Sequence, residues 1–205
     1  MIQNESRLEV VERLSVALQK LACSSSLKLG SDCAEHAYLA WHILTENGFD
    51  CRVAIGAAAW RIGPNDGDVI SHLPRRADIL AAKSTKAIPY HAWVETDTEV
   101  IDFSTHTLRL KASQLDAQDG GNTTVQWCPD FLLIPKADIK PYGEVAQAPR
   151  EGVAFYQEIP GLLDFMKAKG FTEETGAEDL AILRLIFSNP TVHVMGVNDT
   201  CLQVA

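Results

Sequence analysis

The chain has 205 residues, of which 46% are hydrophobic and 22% are charged, a composition that fits one globular domain over residues 1–205. Its net charge of −9 disfavours contact with phosphate backbones and anionic lipid, so we expect neither nucleic acid nor a membrane as a partner. No apolar stretch reaches the length that a membrane-spanning helix needs.

Two helices are predicted at the start of the chain. The first covers residues 5–22, with an apolar stripe of Leu8, Val11, Leu14 (or Ser15), Leu18 and Leu21. Acidic residues interrupt its apolar positions, which is not typical of a secretory signal, so the cytoplasm is the expected location. The second helix covers residues 33–47, and Gly48 is expected to cap its C-terminus. Its predicted apolar face consists of Ala34, Ala37, Tyr38, Trp41 and Leu44.

Three strands are predicted to follow. Residues 51–60 (CRVAIGAAAW) are typical of a buried strand, and a long polar loop is predicted over residues 61–86. Residues 88–96 and 99–105 are predicted to form a β-hairpin, because the segment 96–99 is typical of a turn.

The rest of the chain has weaker patterns. Strands are predicted near residues 131–135 and 152–159, helices at 160–169 and 177–187, and a loop at 112–124. Because helices precede and follow a mainly antiparallel set of strands, the predicted class is α+β, within a single domain.

The five cysteines, Cys23, Cys33, Cys51, Cys128 and Cys201, include no CxxC pair. This odd, widely spaced set is typical of neither a disulfide framework nor a structural zinc site, and we expect no cofactor. Cys33 is distinctive because Ser31 or Asp32 can cap the second helix, which places the thiol in its first turn. The free backbone N–H groups and the helix dipole there favour a thiolate.

His91 and Asp102 are candidate partners for this thiol. A turn centred between Asp97 and Thr98 places Trp93 opposite Asp102 and His91 opposite Ser104. His91 and Asp102 are then diagonal neighbours on one face of the hairpin, within reach of a hydrogen bond. Cysteine, histidine and aspartate in this order can act as nucleophile, base and orienting acid.

These segments resemble a known superfamily. A cysteine that opens a helix, followed by strands with the sequences HAWVE (91–95) and VIDFST (100–105), is similar to the transglutaminase-like cysteine-protease superfamily. The resemblance covers about residues 30–105. It implies a papain-like core in which the helix that bears Cys33 packs on a mainly antiparallel sheet, with Cys33 as nucleophile, His91 as base and Asp102 as orienting acid. It departs from the family where Ala34 follows the cysteine and Phe103 follows the aspartate.

Other residues have competing interpretations. Trp60 and Trp93 flank the predicted site, where core packing is favoured over substrate binding. Glu95 shares a face with His91 and is an alternative orienting acid, and Gln19 is a weak candidate for a second oxyanion donor. His72 is predicted to be exposed in the 61–86 loop. His36 is four residues from Asp32, where a local ion pair is favoured over a metal site.

The leading functional hypothesis is a cysteine hydrolase or acyltransferase that works through a thioester, with a peptide, amide or thioester as acyl donor. A second hypothesis is a catalytically inactive binding or interaction domain of the same fold. A third is a metal-dependent hydrolase that uses Cys33, His36 and His91. The oligomeric state and the natural substrate do not follow from the sequence.

Overall fold

The structure, a computed structural model, describes residues 6–25, 33–74, 89–168 and 176–194, and the statements below refer to these residues. The helices are α1 (Arg7–Ser25), α2 (Cys33–Glu46), α3 (Leu108–Asp119), α4 (Tyr142–Gln147), α5 (Leu162–Ala168) and α6 (Ala177–Ser188). The strands are β1 (Arg52–Arg61), β2 (Val69–His72), β3 (His91–Glu95), β4 (Glu99–Asp102), β5 (Leu132–Pro135) and β6 (Ala154–Glu158). Together they form an α+β fold, as predicted.

The strands form one antiparallel sheet around the long, buried strand β1. Residues 52–56 of β1 pair with β3, residues 58–61 pair with β2, and residues 56–60 pair with β6. Gly56 has partners in both β3 and β6, and Ala58 has partners in both β2 and β6, so β6 lies on the opposite edge of β1 from β2 and β3. Strands β2 and β3 therefore lie end to end along one edge of β1.

This arrangement brings two histidines together. His72 is opposite Ala58, and His91 is opposite Gly56, two residues away along β1. Side chains two residues apart on a strand share a face, so both imidazoles project from the same side of the sheet. Their rings stack with centroids 5.7 Å apart.

The two faces of the sheet pack into two apolar clusters. One face, which includes Val53, Ile55 and Val94, packs with the buried sides of α1, α2, α5 and α6. The other face carries the aromatic residues Trp60, Trp93 and Tyr156, with alanines of β1 and residues of α3 around them. Cys33 belongs to the first cluster, whereas His91 projects from the second face. Both side chains line one cavity, which lies at the start of β3.

Several predicted features are confirmed. Strands β1, β3, β4, β5 and β6 and helices α1, α2, α5 and α6 lie within a few residues of their predicted bounds. Gly48 has a φ of 82°, its N–H donates to the carbonyl of Thr45, and the N–H of Phe49 donates to Leu44. This is the Schellman pattern expected of a glycine after a helix. The proposed N-terminal cap, Ser31 or Asp32, lies outside the described residues.

Two loop predictions are wrong in part, and residues 75–86 of the first lie outside the described residues. The 61–86 segment contains β2, a four-residue strand in which Ile70 alone is buried, so it carries too little apolar pattern to be recognised. The predicted loop at 112–124 overlaps α3, which runs to Asp119 before Gly120 ends it with a φ of 78°. Only Leu108 and Ala112 of α3 are buried, and such a helix shows little hydrophobic periodicity.

Two predicted helix faces also need correction. Leu8 is 48% exposed, because it lies about 120° from Leu14 around α1 at the usual 100° per residue. In α2 the buried face is rotated relative to the prediction, and Trp41 lies at its margin, where its indole N–H donates to the carbonyl of Cys51. The side chains buried in α2 are Cys33, His36, Ala37, Leu39, Ala40, Ile43 and Leu44. None of the described helices combines the length and the hydropathy that a membrane span requires.

Candidate active site

The β3–β4 hairpin places His91 beside Asp102. Val94 is opposite Ile101 and Glu95 is opposite Val100, which is the predicted register. His91 Nε2 and Asp102 Oδ2 are 2.8 Å apart, and the two side chains are only 3% and 1% exposed. A buried pair at this distance fixes the ring of His91 and holds a proton on Nε2.

Both oxygens of the Asp102 carboxylate accept hydrogen bonds. Oδ1 accepts hydrogen bonds from the Ser104 backbone N–H at 2.9 Å and from the Ser104 hydroxyl at 2.8 Å. Oδ2 also accepts one from the Tyr156 hydroxyl at 2.7 Å, and that hydroxyl accepts one from the Trp60 indole at 2.7 Å. Burial acts to raise the pKa of Asp102, but the charge of His91 and these hydrogen bonds outweigh it and lower the pKa to about 2.

Cys33 is the first residue of α2 and shares a cavity with His91. The cavity has a volume of about 10 Å³, which is room for a single water molecule. Its wall is formed by Cys33, Trp60, His72, His91, Ser104, Thr107, Leu108 and Lys111. Cys33 itself is 9% exposed.

The surroundings of Cys33 shift the pKa of its thiol downward. Burial acts to raise its pKa, but the close contact with His91, the charge of His91, the backbone N–H of Ala92 and the charge of Lys111 outweigh burial and lower the pKa. His91 Nε2 is occupied by Asp102, so the contact with sulfur belongs to Nδ1. That nitrogen is buried and has no hydrogen-bond partner among the described residues, so its contact with the sulfur is close but is not aligned as a hydrogen bond.

His91 is shifted in the opposite direction. Burial lowers its pKa, but the charge of Asp102, the hydrogen bond to Asp102 and the interactions with Cys33 raise it to about 9. A thiol with a lowered pKa and an imidazole with a raised one favour the thiolate–imidazolium pair near neutral pH. This pair can attack a carbonyl and then return a proton.

The cavity also contains a pair that the sequence reasoning missed. His72, predicted to be an exposed loop residue, lies in β2 and is part-buried. Its Nε2 is 2.8 Å from Nζ of Lys111, which lies in the first turn of α3. Burial, followed by the charges of Lys111 and His91, lowers the pKa of His72 to about 2, so the ring is neutral and accepts a hydrogen bond from the lysine.

The two tryptophans have different positions relative to the cavity. Trp60 lines it, and its ring makes an edge contact with His91 at a centroid distance of 4.7 Å. Trp93 stacks near His91 at 6.2 Å but does not line the cavity. The side chains are 1% and 2% exposed, which agrees with the favoured interpretation of core packing.

Two other candidates lie away from the site. The Gln19 amide donates to Ser15 and to the carbonyl of Asp130, and does not line the cavity. Glu95 pairs with Arg52 and Lys136 rather than with His91, so it is not the orienting acid.

The three proposed metal ligands, Cys33, His36 and His91, are not grouped as a metal site. Among the described residues, no three His, Cys, Asp or Glu side chains are grouped as metal ligands would be. The partner suggested for His36, Asp32, lies outside these residues.

Of the residues that sequence reasoning missed, Ser104 had a usable signal. The hairpin register already placed it opposite His91. Tyr156 and Lys111 had none, because their contacts in the site join segments far apart in sequence. His72 follows β1 closely in sequence, but the strand that carries it has too little apolar pattern to be recognised.

Comparisons with known proteins bear on the fold. No protein-family model matches the chain, and no curated protein matches it. Among solved structures, the crystal structure of genomics APC5867 is similar, with a TM-score of 0.55 and 14% sequence identity. The match covers 92% of this chain and 84% of the other. At this identity the likeness supports the α+β fold and carries no information about activity.

Proposed function

We propose that the chain is a thiol-dependent acyl-transfer enzyme of the transglutaminase-like type, with a papain-like core. Cys33 is the nucleophile, His91 the general acid and base, and Asp102 the orienting acid. The observation that carries this proposal is the buried His91–Asp102 contact of 2.8 Å in a site where His91 also lowers the pKa of Cys33. Acyl donors are peptides, amides or thioesters, and the acceptor is water or an amine.

The reaction has two steps. The Cys33 thiolate attacks the carbonyl carbon, and the electron pair of the C=O bond moves to oxygen. When the tetrahedral intermediate collapses, the bond to the leaving group breaks and His91 gives that group its proton, which leaves a thioester on sulfur. His91 then takes a proton from water or an amine, which attacks the carbonyl carbon of the thioester. The carbon–sulfur bond breaks, the acyl group leaves as an acid or an amide, and the thiolate–imidazolium pair is restored.

Residues around Cys33 and His91 explain why the site favours this chemistry. Asp102 stays ionised through the cycle because its four hydrogen bonds satisfy the carboxylate. The first backbone N–H groups of α2 have no intrahelical acceptor, and they are the donors available to the oxyanion.

The test is covalent labelling by an acyl probe, with the adduct located by mass spectrometry. We expect wild type to form a thioester on Cys33, and Cys33→Ala to form none. His91→Asn should slow adduct formation by roughly 10²–10⁴-fold, the usual contribution of general acid–base catalysis. His42→Asn is the matched control, because His42 does not line the cavity, and it should react like wild type. Equal rates for His91→Asn and His42→Asn would refute the assignment of the base.

A second candidate, a catalytically inactive interaction domain, is favoured by the size of the cavity. Room for one water molecule admits no acyl group unless side chains in the wall move. The two candidates differ in the reactivity of Cys33 toward iodoacetamide at neutral pH. The enzyme requires Cys33 to react much faster than the exposed Cys23, whereas a sealed thiol reacts more slowly than Cys23.

A further inference from the structure

A lysine is built into the wall of the Cys33 cavity. Lys111 is part-buried, and burial lowers the pKa of its ammonium. It donates one hydrogen bond, to His72, at 2.8 Å. Because the imidazole of His72 is neutral, it positions the ammonium without neutralising its charge.

Among the described residues, the Lys111 ammonium has no direct anionic partner. The His91 imidazolium lies between two anions, Asp102 and the Cys33 thiolate, whose charges act on Lys111 without a direct contact, and Asp102 is already bonded to His91, Ser104 and Tyr156. Among the residues that the structure describes, no carboxylate lies within salt-bridge distance of Lys111, and its ammonium makes no hydrogen bond besides the one to His72. A part-buried cation with unused donors favours an anion close by.

The position of Lys111 indicates where such an anion would sit. Lys111, His72 and Ser104 are part-exposed, whereas Cys33, His91 and Trp60 are buried, so the lysine lies on the side of the cavity nearer the surface. A substrate that approaches the sulfur from that side passes the ammonium.

We propose that Lys111, held by His72, binds a carboxylate on the acyl substrate of Cys33. This inference rests on the proposed function and adds a substrate class to it: acyl donors that carry a negative charge next to the reacting carbonyl. Lys111 is then a specificity-determining residue, and His72 positions it.

The test compares two alkylating agents of nearly equal size, iodoacetate and iodoacetamide. In both reactions the thiolate sulfur bonds to the methylene carbon while the carbon–iodine bond breaks, and iodide leaves with the electron pair. Only iodoacetate carries a carboxylate. The quantity measured is the ratio of the two rate constants at Cys33, normalised to the same ratio for glutathione.

In Lys111→Gln we expect this ratio to fall roughly 10- to 100-fold, the value of a hydrogen bond to a charged group. Lys111→Arg keeps the charge and should retain most of the preference. Lys140→Gln removes an exposed lysine that does not line the cavity, and should behave like wild type. The charge of His91 is present in every variant, so it cancels from the comparison.

The outcomes separate this inference from the proposed function. An unchanged ratio in Lys111→Gln overturns the inference, and equal slowing of both reagents then shows that the lysine acts on thiol ionisation alone. Selective labelling of Cys33 in that case leaves the proposed function standing. Absence of selective Cys33 labelling in wild type instead refutes the proposed function. If Lys111→Gln does not fold, protection of wild-type Cys33 from iodoacetamide by acetate but not by acetamide supplies the same test, and equal protection counts against the inference.

Discussion

The chemistry of individual residues in this site is set by burial and by charged neighbours acting against each other. Burial alone would keep Cys33 protonated and His91 and Lys111 neutral, because it disfavours every charged form. The Asp102 carboxylate reverses this for His91, and the His91 imidazolium reverses it for Cys33. His72 has no carboxylate beside it strong enough to do the same, and it stays neutral. Two imidazoles with ring centroids 5.7 Å apart therefore differ in charge, since the surroundings favour the imidazolium of His91 and the neutral ring of His72.

These shifts give a pH dependence with a definite sign. We expect the rate of cleavage of an acyl 4-nitroanilide to rise with pH as Cys33 loses its proton, over a range below that of an ordinary thiol. It should fall again as His91 loses its proton near pH 9, because the departing amine needs that proton. Alkylation of Cys33 by iodoacetamide should show the rising limb only, since alkylation needs no proton donor.

Asp102→Asn is the variant that checks the origin of the falling limb. The amide no longer favours the imidazolium, so the falling limb should move to lower pH and kcat/KM should drop by roughly 10²–10⁴-fold. A falling limb that stays near pH 9 in this variant would show that another group, not His91, donates the proton.

At the scale of elements, β1 is the strand on which the site depends. It pairs with β2, β3 and β6 at once, and those three strands carry His72, His91 and Tyr156. The alanine-rich sequence of β1 permits this crowding, because small side chains leave space for the rings of Trp60, Trp93 and Tyr156 on the same face. The apolar run 51–60 predicted a buried strand, and the two sequence segments of the hairpin predicted the His91–Asp102 contact. The identity of the neighbours of β1 was not predictable, since strands rich in Ala and Gly carry little information about their partners.

Gly56 tests this dependence on close strand packing. A Cβ at this position would lie 2.0 Å from the backbone carbonyl oxygen of Gln157, so an alanine there must push β1 and β6 apart. We expect Gly56→Ala to lower the free energy of unfolding by about 1–3 kcal/mol, the usual cost of overpacking, and to slow labelling of Cys33 by displacing Tyr156. Urea unfolding measures the first effect and adduct formation the second.

The matched control for that substitution is Gly143→Ala in α4, where an added Cβ would meet nothing within 4 Å. It should leave labelling unchanged and leave stability unchanged or slightly raised, because alanine favours a helix more than glycine does. Equal stability of Gly56→Ala and wild type would show that β1 and β6 tolerate separation.

At the scale of the whole molecule, the site lies where the helical layer meets the sheet. The thiol comes from α2, which packs on one face, while the imidazoles, Asp102 and Tyr156 project from the other face. Local sequence patterns predicted the α+β class and most elements, because amphipathic periodicity and turn residues are local signals. They did not predict how β6, about a hundred residues after β1, completes the hydrogen bonds of Asp102. That contact depends on long-range packing, as does the meeting of Lys111 with His72.

Because the site draws on so many elements, activation of Cys33 should require the intact fold. We expect the fast reaction of Cys33 with iodoacetamide to disappear along the same guanidinium curve as the helical circular dichroism signal, with one shared midpoint. In the unfolded chain His91 and Ala92 no longer face the sulfur, so Cys33 should react at the rate of an ordinary thiol. The exposed Cys23 is the internal control, since its rate should change little across the transition. Loss of Cys33 activation at a clearly lower guanidinium concentration than the circular dichroism midpoint would mean that the β3–β4 hairpin or α2 separates before the core unfolds, and that the site is a locally unstable unit of the fold.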